Sequence, residues 1–91
     1  MCTYQTERLD IRASAKTAEG WTSMTNAIVY FDHPVHFGAG HALMIDLLNP
    51  AVGPSARAAI EMDPESARAL ANAILQSLDT IPDGLLSELT S

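Results

Sequence analysis

The chain has 91 residues, with eleven acidic side chains against five basic ones and a net charge of −6. That length makes one domain, and without a basic stripe to displace counterions the composition argues against DNA or RNA as a partner. Apolar residues make up 47% of the sequence but aromatic residues only 5%, so the core is thin, and stability shared with a second subunit is expected.

Residues 3–13 alternate, with Leu9, Ile11 and Ala13 on one side and Arg8, Asp10 and Arg12 on the other. This is the pattern of a half-buried strand. Residues 14–20 are small and polar and read as a loop. Residues 25–32 are dense in β-formers (Ile28, Val29, Tyr30, Phe31) and predict a second strand, apolar on both faces. Pro34, Gly38 and Gly40 interrupt regularity and make the following segment a loop. A third strand is predicted over residues 42–48. Asn49-Pro50 and Gly53-Pro54 then mark a turn, and a fourth strand follows over 56–62.

The helix has the fullest set of local signals. Asp63 is a good N-cap, Pro64 occupies the favoured first position, and Glu65 suits the positive end of the dipole. Ala67, Leu70, Ala71, Ile74 and Leu78 recur at helical spacing as an apolar stripe, expected to pack on the sheet. Ile81-Pro82-Asp83-Gly84 ends the helix, and Leu85, Leu86 and Leu89 offer one further turn. The predicted fold is α+β: a four-stranded antiparallel sheet (about 3–62), one C-terminal helix packed on one face (about 63–79), and a tail (80–91), all in a single domain over 1–91. The helix covers one face only. The other, with Tyr4, Ile28, Tyr30 or Met44, calls for a second copy. A homodimer is therefore expected, with Ile28 or Tyr30 and a neighbouring Tyr4 or Trp21 in its interface.

One cysteine, Cys2, rules out an intramolecular disulfide. The opening residues have neither a positive nor an apolar signal-peptide region, and the longest apolar run, 27–31, is too short to span a bilayer. The expected setting is the cytoplasm, with no membrane partner.

All three histidines, His33, His36 and His41, fall in one short loop. Imidazole and carboxylate are ligands for divalent transition metals: zinc first, with copper, nickel and iron compatible. Closure of the hairpin brings His41 toward His33, and Cys2 or Asp46 offers a fourth ligand. The same residues also read as an ordinary polar turn, since the spacing matches no strong metal signature. No serine nucleophile, phosphate loop or paired-carboxylate motif is present, so whether the chain is an enzyme stays open.

Met1-Cys2-Thr3-Tyr4, the segment from Tyr30 to His36 (YFDHPVH), His41, Ile45-Asp46, Asn49-Pro50 and Ser66-Ala67-Arg68-Ala69-Leu70-Ala71 together resemble a family of small actinobacterial proteins of unknown function. The resemblance covers nearly the whole chain. It implies a bacterial cytoplasmic protein and no particular activity. Two classes of function follow from the residues: a small metal-binding protein or metal-dependent enzyme using the histidine loop, or a metal-free homodimeric module that binds a small molecule or a protein.

Overall fold

A computed structural model describes residues 5–34, 38, 40–82 and 84–85. Four strands, β1 (Glu7–Thr17), β2 (Gly20–Asp32), β3 (Ala42–Leu48) and β4 (Arg57–Met62), precede one helix, α1 (Pro64–Asp79). The strands pair antiparallel in the order β1-β2-β3-β4, as expected of consecutive strands on short connections.

The first hairpin is longer than the sequence reading anticipates. β1 runs on to Thr17 and β2 begins at Gly20, so residues 14–17 and Gly20 are ribbon rather than loop, and 21–24 lengthen the second strand at its start. Gly20 takes φ 99°, a left-handed conformation that a side chain resists, and so allows a tight reversal. Thr17 Oγ1 accepts from the Glu19 N–H at 3.2 Å and donates to the Gly20 carbonyl at 3.1 Å. β1 also carries a bulge. Between the pairs Asp10–Asn26 and Ala13–Met24 two residues oppose one, so the alternation changes face. Leu9 and Ala13, placed on one side by simple alternation, therefore lie on opposite sides.

The register sorts the sheet into two unlike faces. Arg8, Asp10, Asp46, Arg57 and Glu61 share one face with Ile28, Tyr30 and Met44. The other carries Leu9, Ala27, Val29, Phe31, Leu43, Ile45, Leu47, Ala58, Ile60 and Met62, with Glu7 and Lys16 near the two ends of β1. β1 also comes within contact distance of β4, to which it is not hydrogen-bonded. Flat strands spaced about 4.8 Å apart would keep the first and fourth much further from each other, so the sheet is curled. Met24, Ala42 and Met44, all on the charged face, are buried. The face expected to need a partner is thus partly enclosed.

A second tie spans the meander. Asn49 is buried, its N–H donates to the Ala56 carbonyl at 3.1 Å, and its own carbonyl accepts from Val52 and Gly53. Its side chain accepts from the Ala51 N–H at 3.2 Å and donates to the Ser23 carbonyl at 3.0 Å. Every polar atom of this residue is used.

α1 starts as its sequence predicts. Asp63 is extended, with φ −71° and ψ 158°, and its carboxylate accepts from the Ser66 N–H at 3.2 Å. The Ser66 hydroxyl, which donates to Asp63 Oδ1, and then the Ser66 N–H hold the Asp63 carboxyl below its usual range. The capping contribution is therefore present above that range and is lost as pH falls through the lowered value. Gly84 and Leu85 are again helical, while Leu86 and Leu89 lie outside the described residues.

The stripe does not pack as expected. α1 touches the sheet at β3, and a cleft of about 400 Å³ lies between Phe31 and Leu43 of the sheet and Ala67 and Ala71 of the helix. No residue of α1 is buried: Leu70 is 42%, Ile74 53%, Leu75 60% and Leu78 47% exposed. Truncating Leu70 or Ile74 accordingly opens no cavity within one chain. The radius of gyration is 15.1 Å, against about 12 Å for a compact domain of this length.

Among the described residues, Met24 is the one large side chain that is fully buried. Met24→Ala is expected to destabilise the fold by about 2–5 kcal/mol, read as a lower urea midpoint with unchanged slope.

Candidate functional site

The loop with the histidines connects β2 to β3. Pairing of Asp32 with Ala42 closes its base, which sets residue 33 opposite residue 41. Their imidazole centroids are 4.3 Å apart with the planes inclined at 37°. His41 also stacks on Phe31, with centroids 5.5 Å apart and planes within 13°, so the pair sits at the end of the apolar face.

His33 is oriented by its backbone neighbours. Its N–H donates to Asp32 Oδ1 at 2.7 Å, and its ring Nδ1 lies 2.8 Å from the Gly40 carbonyl. A carbonyl only accepts, so the proton of that bond is on Nδ1. In the neutral ring this leaves the Nε2 lone pair as the available ligand, an arrangement common among metal-binding histidines.

Hairpin closure thus brings His33 and His41 together, as the sequence suggests. His36 and Cys2 lie outside the described residues. Asp46 is not brought to the pair. It pairs with Ile28 and Ala59 on the charged face, whereas Phe31 and His41 stack on the apolar side. Both its oxygens are engaged as well: Oδ1 accepts from Arg57 Nη2 at 3.1 Å and Oδ2 from the Tyr30 hydroxyl at 3.2 Å. Among the described residues, no group of three or more His, Cys, Asp or Glu side chains is arranged to hold a metal ion.

The Tyr30–Asp46–Arg57 cluster carries no signal in the sequence alone, and cross-strand pairing makes it legible once the register is known. Partial burial, and then the negative charge of Asp46, push the Tyr30 hydroxyl above its ordinary value of 10.0. Further along the same face, Arg8, Asp10, Asn26, Ile28, Leu48 and Pro50 line an open cleft of about 290 Å³. Asn26 Nδ2 donates to Asp10 Oδ1 there at 3.2 Å. The volume is at the lower end of small-molecule sites, about 300–1,000 Å³.

Several large apolar side chains among the described residues are exposed: the stripe of α1, Leu9, Val52, Ile60 and Trp21, the last 72% exposed beside the first turn and so not part of the core. No helix among the described residues is long and apolar enough to cross a membrane.

A tyrosinate titration of Asp46→Asn should show one midpoint moving down toward 10, because the repelling carboxylate is gone. Part of the rise should persist, since burial, its largest cause, remains. An unchanged midpoint would show that the Asp46 charge does not act on Tyr30.

No curated protein and no solved structure matches the chain. A family model does, over residues 1–87, and the chain belongs to that family: a family of unknown function, DUF6295.

Proposed function

We propose that this chain is a homodimeric binding module whose contact surface is built on α1. The observation that carries this reading is the exposed stripe of Leu70, Ile74, Leu75 and Leu78 on a helix with no buried residue. Most of a helix's stability in a protein comes from packing its amphipathic face. A helix so placed needs a partner surface to remain ordered. The chain exposes 6832 Å², against about 5,100 Å² for a compact monomer of this mass. The setting in this reading is the cytoplasm, consistent with a single cysteine.

Sedimentation at micromolar concentration should give a dimer of the 9.7 kDa chain, and Ile74→Glu with Leu78→Glu should give a monomer. A wild-type chain that sediments as a clean monomer overturns the reading.

The His33–His41 pair supports a second reading, a metal-binding protein. Two imidazoles 4.3 Å apart, one with Nδ1 held by a carbonyl, supply two ligands for a divalent transition metal, zinc first, then copper, nickel or iron. His36 and Cys2 would complete the set. Protein purified without an affinity tag should then carry stoichiometric metal, lost in His33→Ala. Tag-free protein without metal that also fails to take up added zinc removes this reading.

A further inference from the structure

We infer that two copies of the chain seat their helices reciprocally, the α1 stripe of each lying on the apolar sheet face of the other. The inference rests on the homodimeric reading and specifies how that dimer is built. One chain offers two apolar surfaces that it does not bring together. The first is the stripe of α1. The second is the sheet face on which Leu9 is 51% and Ile60 44% exposed. The chain's own helix leaves the sheet beside Phe31 and Leu43, across the cleft of about 400 Å³. Leu9 pairs with Ala27 and Ile60 with Ile45, further along the strands from that departure.

Three ways of pairing two copies are available. Helix against helix leaves both sheet faces open, and sheet against sheet leaves both stripes open. Reciprocal seating covers all four surfaces with one two-fold axis, because each stripe meets the partner's sheet and the contact closes on itself. Charge favours the same arrangement. Arg8, Asp10, Asp46, Arg57 and Glu61 lie on the opposite sheet face, and the apolar face carries only Glu7 and Lys16, both on the edge strand β1, so the contact strips water from few of the sheet's charges, which would otherwise oppose association.

The test uses the full chain in a Cys2→Ser background. Protomers carrying Ile74→Cys are mixed with protomers carrying Ile60→Cys and oxidised; a second pair uses Leu78→Cys and Leu9→Cys. All four sites are exposed, so the fold should tolerate each change, which circular dichroism confirms. A disulfide-linked species of twice the chain mass, formed only when both protomers are present in at least one pair, is the expected result. A dimer by sedimentation in which Ile74→Cys links only to itself overturns the seating and leaves the dimer standing. So does a dimer with no link at either pair. A monomer whose Ile60→Cys, Ile74→Cys double variant closes within one chain overturns both.

Discussion

The register of β2 against its two neighbours decides how this chain meets its surroundings. Cross-strand partners share a face, so one choice of pairing sends Arg8, Asp10, Asp46, Arg57 and Glu61 to one side and Leu9, Ile45 and Ile60 to the other. A slip by one residue would exchange these sets. The curl of the sheet then partly encloses the side that carries the charges, around Met24 and Met44. The apolar side is left to a helix that touches it at β3 and buries none of its own residues. The core is small as a result, and much of the apolar surface lies on the outside.

Much of this was legible in the residues themselves. The third and fourth strands and both ends of α1 follow from period-2 alternation and from the Asp63-Pro64 start. The bulge at residues 11–12 was not, since nothing in Ile11 or Arg12 departs from a regular strand. The extension of the first hairpin was hidden by small polar residues that read as loop, although Gly20 marks its turn. Burial of the stripe was inferred from periodicity, which shows that a helix has an apolar side but not what that side meets. Direction is set by where the helix leaves the sheet.

The site divides along similar lines. Clustering in sequence and closure of a hairpin were enough to bring His33 to His41. Asp46 was attached to them by proximity along the chain alone. Parity tells otherwise, because residues 41 and 46 differ by an odd number and an extended strand sends them to opposite faces. Sequence nearness is a poor guide to convergence on a strand, and the period of two corrects it.

Asn49 carries a consequence for how the meander holds together. Each hairpin of the sheet closes locally, but the side-chain amide of Asn49 reaches across 26 positions to the Ser23 carbonyl while its backbone shapes the connection from β3 to β4. An amide can donate and accept at once, whereas a carboxylate at this place would set two acceptors against each other. The first and last hairpins are therefore joined through one buried group, and fraying at either end of the meander reaches the other.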